Sequence, residues 1–374
     1  MKKIRMIFII IVFAALALPG LFILIVPDKS YSENENRYLQ TRPKFSVDKI
    51  FSGELQQELT DYFSDQFVKR DFWTATATKV KKAAGYDDIG GVFLGKDHYY
   101  FEKIEDSDIS ATRYNQNLNF VKQFLKKHED LDSAVMIVPS PGTVLSDKLP
   151  QGAMLYNSDG MYKQAETILK GNGFIDIRPE LKAASGDYIY YRTDHHWTAQ
   201  GAYIGYQQYC KKKGLNVKDF DSFQAAAVTK DFYGTLYSKA LDSAAIPDTI
   251  ELPQNLPSVS VEYNGKEYDS IYDDSKLETK DKYAVFFGGN YGEVVINTSA
   301  GTGKRLMVVK DSFANSMIPY LLEDYDQIIM VDMRYYRGSL SKDIRENKIT
   351  DILVLYEMSN FAEDGNLYKL NTFE

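Results

Sequence analysis

The residues Arg305-Leu306-Met307-Val308-Val309-Lys310-Asp311-Ser312-Phe313-Ala314-Asn315 read as a buried strand running into a helix through a short polar turn. A continuous apolar run of this length suits a strand covered on both faces. Phe313 to Leu322 predicts the helix, Gln327–Val331 a second strand, residues 340–347 a helix and Ile352–Tyr356 a third strand. Upstream, Ala134–Val138 is another apolar run, stopped by Pro139. A helix over 158–170 closes at Gly171, where a left-handed cap is easy, and Phe174–Ile177 follows as a strand. Strands alternating with helices predict an α/β fold with a parallel central sheet. Between the two halves, residues 215–300 are polar and turn-rich, with alternation in Val259-Ser260-Val261-Glu262-Tyr263, and read as an irregular β-rich insertion.

Further toward the N-terminus, Gly90–Leu94 and Tyr99–Phe101 predict a hairpin with its turn at Gly95-Lys96-Asp97. Residues 46–85 read as helical, because Phe51, Leu55, Leu59, Phe63 and Phe67 recur every four residues. Residues 28–45 are polar and read as a strap. Met6 to Val26 is an apolar run of 21 residues behind Lys2, Lys3 and Arg5. That length spans a bilayer as one helix, and the flanking cations place residues 1–5 in the cytoplasm. A cleaved signal peptide is the competing reading, since Ala15-Leu16-Ala17 resembles a cleavage site, but Leu21 to Val26 continues the apolar run. The expected organisation is a tail 1–5, an anchor 6–26, a juxtamembrane strap and helices 27–85, and a catalytic domain 86–374 outside the cell.

Composition removes several classes of protein. A chain of 374 residues with 44% hydrophobic residues has ample material for a core, which excludes wholesale disorder. A net charge of −8 without a Lys/Arg stripe excludes nucleic acid as a partner. Cys210 is the single cysteine, so neither an internal disulfide nor a cysteine zinc site exists.

Two segments carry chemistry. Thr193-Asp194-His195-His196-Trp197-Thr198 precedes a helical run from Ala199 to Lys213, with Thr198 suited to cap it. An extended loop would point Asp194 and His196 to one side and His195 to the other. Ser312 lies at the carboxyl end of a strand, where open α/β sheets place their sites. A serine nucleophile needs a base, and the base needs an acid to orient it. A metal site at the paired histidines is the rival reading, weakened because consecutive residues converge poorly on one ion. Arg334, in Val331-Asp332-Met333-Arg334, sits at the end of the next strand. Gly289 and Asn290, in Phe286-Phe287-Gly288-Gly289-Asn290, allow close backbone approach and an amide donor. These three are candidates for oxyanion or substrate binding; a surface ion pair and a plain turn are the alternatives.

The tetrapeptide Asp194-His195-His196-Trp197 resembles the signature of the bacterial DHHW family. The segments FFGGN (286–290), VVKDSFANSMIPYL (308–321), VDMRYY (331–336) and DILVLYE (351–357) resemble it too. The similarity runs over about residues 35–374. Through that family the chain is similar to the AlgJ/AlgX group and to PatB-type proteins of the SGNH-hydrolase superfamily. The resemblance implies a flavodoxin-like α/β/α sandwich with Ser312 as nucleophile, His196 as base and Asp194 as its orienting acid. It also implies an anchored, extracytoplasmic O-acetyltransferase of the bacterial cell membrane that needs no cofactor. Its acceptor would be a polysaccharide and its acetyl supplier a multi-span membrane O-acyltransferase. Where the superfamily's nucleophile segment begins Gly-Asp-Ser, this chain has Lys310. An acetyl esterase on the same glycans and a non-catalytic glycan-binding or assembly protein are the alternatives.

Overall fold

The computed structural model describes residues 2–32 and 37–372. Two compact units form. One is Met1–Gly90 with Tyr237–Ala244; the other is Gly91–Leu236 with Ala245–Glu374.

The larger unit is built on eight strands: β1 (Asp132–Val138), β2 (Phe174–Ile175), β3 (Val259–Tyr263), β4 (Lys266–Tyr268), β5 (Glu293–Thr298), β6 (Arg305–Lys310), β7 (Gln327–Val331) and β8 (Asp351–Glu357). Their order is β4-β3-β5-β7-β6-β8-β1-β2. The pairs β7–β6, β6–β8, β8–β1 and β1–β2 are parallel. The pairs β4–β3, β3–β5 and β5–β7 are antiparallel. The expectation of a parallel central sheet is therefore corrected to a mixed one. The reason lies in the alternation at 259–263, which signals a strand with one wet face, typical of antiparallel sheet. The insertion donates such strands to the sheet edge. The flavodoxin-like expectation is corrected as well. The parallel strands run β2-β1-β8-β6-β7, so the last strand sits beside the first. All seven residues of β8 are buried, which suits a central place.

Side chains alternate between two cores across this sheet. Met136, Val138, Leu306, Val308, Leu353 and Leu355 join one, together with helix Ala199–Lys213 and the short helix Ala314–Met317. Val135, Ile137, Met307, Val309, Ile352 and Val354 join the other, with helices Ala111–Lys127, Ser158–Ile168 and Met358–Glu363. The result is three layers, with the carboxyl ends of β6, β7 and β8 on one rim. Val92–Leu94 pairs with Tyr100–Glu102 as the expected hairpin.

In the smaller unit, residues 46–85 form three helices, Val47–Ser52, Glu54–Asp65 and Arg70–Ala83. Left-handed backbone at Gly53 and Lys69 separates them. The four-residue apolar spacing is thus cut. Leu55 is buried, whereas Phe51 is 87% exposed. The first helix, Lys2–Ile25, forms, but among the described residues no helix is long and apolar enough to cross a membrane. Its last turn is spent on protein: Ile23 is buried, and Phe22, Ile23 and Val26 line a cavity of about 290 Å³ with Leu39, Phe67 and Val68. This corrects the anchor 6–26, the tail 1–5 and the single-pass membrane placement. The bilayer and a membrane-embedded acetyl supplier fall as partners with it. Within the strap, residues 33–36 lie outside the described residues.

Candidate active site

Strand β6 ends at Lys310, and the chain turns through Asp311 and Ser312 into Ala314–Met317. Asp311 fixes the turn. One carboxylate oxygen accepts the Phe313 N–H (2.9 Å), and the other accepts the Glu357 N–H and the Asn360 amide (both 2.8 Å). Burial pushes the Asp311 carboxyl upward, against those donors. The turn is thereby tied to the end of β8, and the half-buried Ser312 stands on the rim.

The second segment closes on the first. The loop before helix Ala199–Lys213 is a tight reversal rather than an extended run. Tyr191 N–H donates to the His196 carbonyl (3.2 Å), and Tyr190 bridges to Trp197. Asp248, fully buried, pins this reversal by accepting from the Thr193 N–H (2.8 Å) and hydroxyl (2.6 Å), the Arg192 N–H (2.8 Å) and the Tyr188 hydroxyl (2.5 Å). Thr198 caps the helix by accepting the Gly201 N–H at 3.4 Å. Trp197, also buried, donates its indole N–H to the Phe313 carbonyl (3.0 Å) and the Ser316 hydroxyl (2.8 Å), welding the two segments.

Within this frame the His196 ring bridges Asp194 and Ser312. Nδ1 is 2.6 Å from Asp194 Oδ1, and Nε2 is 2.7 Å from Ser312 Oγ. Asp194 Oδ1 also accepts the His196 N–H (3.0 Å), while Oδ2 accepts the Thr235 N–H (2.8 Å) and hydroxyl (3.0 Å). Burial raises the Asp194 carboxyl, but the two neighbouring imidazoles, the His196 hydrogen bond and the Thr235 amide outweigh it and hold it well below the usual carboxylate range. An ionised Asp194 only accepts, so Nδ1 carries the proton and Nε2 is left to accept from Ser312. His196 is pushed down to about 4, by burial first and the neighbouring His195 second. It is neutral at pH 7.

His195 does not face away, because the loop turns. Its ring centroid is 4.0 Å from that of His196, and its Nδ1 lies 2.8 Å from the Thr235 hydroxyl. Asp194, His195 and His196 each offer one ligand atom, all within 4.8 Å of one another, the grouping behind the rival metal reading. None of the other candidates hydrogen-bonds to Ser312, whose hydroxyl meets His196 and whose carbonyl accepts from Tyr283 and Asn315. Arg334 forks onto Asp332 (Nε–Oδ1 2.9 Å, Nη2–Oδ2 2.6 Å). Gly289 spends its N–H on the Phe286 carbonyl at 3.2 Å. Asn290 Oδ1 accepts from Lys310 Nζ (3.1 Å) and Asn315 Nδ2 (3.3 Å).

Sequence reasoning missed Thr235, Asp248 and Tyr283. Tyr283 stacks on His196 at 3.8 Å between centroids and donates to the Ser312 carbonyl (3.2 Å). All three come from the polar insertion, where no local pattern marks them. Gly234 does carry a signal, a glycine beside a Thr. A Cβ there would lie 2.3 Å from the Asp194 Cβ and 2.4 Å from its Oδ2. Four donors hold that carboxylate, so it has no room to yield. Gly234→Ala is expected to cost about 1–3 kcal/mol, as overpacking does, and to slow chemistry at Ser312. A melting curve beside a serine-labelling rate checks both.

Fold and site together define a mixed α/β protein with a hydroxyl, an imidazole and a carboxylate hydrogen-bonded in series at the carboxyl rim of its parallel strands. The sequence profile described as DHHW protein matches residues 152–331, and over that region the chain is similar to the DHHW family. A DHHW family protein from Eubacterium siraeum superposes with a TM-score of 0.66 at 23% identity, covering 76% of this chain and 96% of that one. Bacillus cereus PatB1 with a sulfonyl adduct gives 0.61 at 20% identity, covering 76% and 97%. A second structure of PatB1 gives 0.59 at 21%, covering 74% and 98%. The resemblance to the DHHW family and to PatB-type proteins therefore holds. A search of curated proteins finds no match.

Proposed function

We propose that the protein is a serine O-acetyltransferase that moves an acetyl group through Ser312 to hydroxyls of a polysaccharide. The 2.7 Å approach of His196 Nε2 to Ser312 Oγ carries this reading. His196 takes the Ser312 proton as Oγ attacks the acetyl carbonyl. The bond to the donor's leaving group breaks, the leaving group takes the proton back from His196, and acetyl-serine remains. A sugar hydroxyl then attacks the acetyl-serine while His196 removes its proton. The ester passes to the sugar, and the proton returns to Ser312. Asp194 keeps the imidazole in the accepting tautomer and stabilises the imidazolium formed in each step. PatB1, which is similar in fold, carries a sulfonyl adduct, and that supports a nucleophile on this scaffold.

The test uses the full chain with phenylmethanesulfonyl fluoride and peptide mapping across a pH series. The label is expected on Ser312. Protonated imidazole cannot accept, and the His196 pKa is depressed. The rate should therefore be level near neutrality and fall only below the ordinary imidazole value of 6.5, toward about 4. Label elsewhere, or a rate already halved at pH 6.5, would sink the assignment. With p-nitrophenyl acetate as donor, acceleration by added oligosaccharide supports transfer to sugar. Turnover indifferent to oligosaccharide points to the esterase instead.

A further inference from the structure

Lys310 is the residue that the acyl-serine reading leaves without a task. It is 1% exposed, and its side chain lies on the sheet face that carries Leu306 and Val308, below the His196 side of the rim. No carboxylate reaches ion-pair distance of its ammonium among the described residues. Its contacts are two carboxamide oxygens, Asn315 Oδ1 at 2.7 Å and Asn290 Oδ1 at 3.1 Å. A buried cation satisfied only by neutral groups is costly, so stability alone does not account for it.

The chemistry of the contact is one-sided. An ammonium donates and cannot accept. The atom of Asn290 facing Lys310 must therefore be oxygen, and Asn315 Nδ2 donates to that same oxygen at 3.3 Å. The amide is fixed against flipping, with its Nδ2 donors turned away from the pair. Asn290 is itself exposed on the rim. Asn315 joins this arrangement to the nucleophile turn, because its N–H donates to the Ser312 carbonyl at 3.2 Å.

We infer that Lys310 is a positioning residue for acyl transfer at Ser312: its ammonium grips Asn290 Oδ1 and Asn315 Oδ1, and so presents the donor end of the Asn290 amide to the oxyanion. The inference rests on the acyl-serine reading above. A glycine at 310 would leave Asn290 free to present its carbonyl, which repels an oxyanion. The cation also polarises the amide it holds, which strengthens the outward N–H as a donor.

The groups that act on Lys310 are Asp332 at the end of β7, Asp311 beside it and Arg334, with Asn290 and Asn315 in contact. Burial is the largest influence and pushes the ammonium down to about 8, with the two carboxylates opposing and Arg334 reinforcing it. Activity in the native chain should accordingly fall as pH rises through about 8.

The experiment follows p-nitrophenyl acetate turnover by the full chain. Removing one oxyanion donor typically lowers kcat about 10²–10³-fold. Lys310→Met and Asn290→Ala should each lower kcat by about 10² with KM little changed, and the double variant should lose no more than either alone. Lys310→Arg keeps a donor-only cation, so it should recover most of the loss and remove the alkaline limb. If Lys310→Met fails to fold, Lys310→Arg and the exposed Asn290→Ala carry the test. Asn290→Ala within twofold of native, independent losses in the double variant, or an alkaline limb surviving in Lys310→Arg overturns the inference alone. Undiminished turnover in Ser312→Ala overturns the acyl-serine reading and this inference with it.

Discussion

Ser312→Ala is expected to lower p-nitrophenyl acetate turnover by about 10⁴-fold or more and to abolish sulfonyl labelling at that position. The size follows from the role: a nucleophile and its base act as a unit, and removing the nucleophile leaves only binding and oxyanion stabilisation. The fold should not follow the activity down. Ser312 Oγ is half-buried on the rim, and the hydrogen bond lost with it, at 2.7 Å to His196, joins a loop already held by Trp197 and Asp248. A net hydrogen bond contributes about 0.5–1.5 kcal/mol, so the melting midpoint should move by a few degrees at most. Turnover falling without unfolding separates a nucleophile from a residue that merely caps the turn. A variant within tenfold of native would end the acyl-enzyme reading, and the non-catalytic alternative would gain.

The sequence is most legible where one residue type has one physical use. Apolar runs at 306–309, 328–331 and 352–356 can only be buried strands once helices separate them, and β6, β7 and β8 lie there. Asp194, His196 and Ser312 were legible as residue types that need one another. Their meeting was not legible, because it depends on Trp197 reaching the Phe313 carbonyl across 116 positions. Strand order was hidden for a similar reason. Nothing local says that β8 enters between β1 and β6; only its complete burial does, and burial is a property of the folded chain. The insertion misled in one direction. Its alternation was visible, but whether such strands form a separate lobe or extend the main sheet depends on which edge is open to accept them. The apolar run at 6–26 misled in another, since hydropathy alone does not reveal that Ile23 packs on its own unit. Thr235 and Tyr283 escaped entirely, because a threonine or tyrosine in polar surroundings is ordinary until an imidazole or carboxylate is set beside it.

Asp194→Asn probes the part of the site that carries no reacting atom. The carboxylate is met by four donors: the His196 N–H and Nδ1–H at Oδ1, and the Thr235 N–H and hydroxyl at Oδ2. A carboxamide has only one accepting end. With its NH₂ toward Thr235, a backbone N–H faces a donor in a buried place, at a cost of about 1–3 kcal/mol. With its NH₂ toward His196, the same clash falls on the His196 N–H. The ring is also driven to the tautomer that accepts at Nδ1 and donates at Nε2. In that form Nε2 cannot take the Ser312 proton. The expected result is a variant less stable by that amount and slower by about 10³–10⁴ in kcat, with Ser312 still present and still slowly labelled. The acid limb discriminates further. Asp194 stabilises the imidazolium, so its loss should move the His196 pKa lower still, and the residual activity should persist to more acid pH than in the native chain. A variant with full turnover and an unmoved acid limb would mean that His196 needs no orienting partner. The proton would then leave Ser312 by a route other than the ring 2.7 Å away.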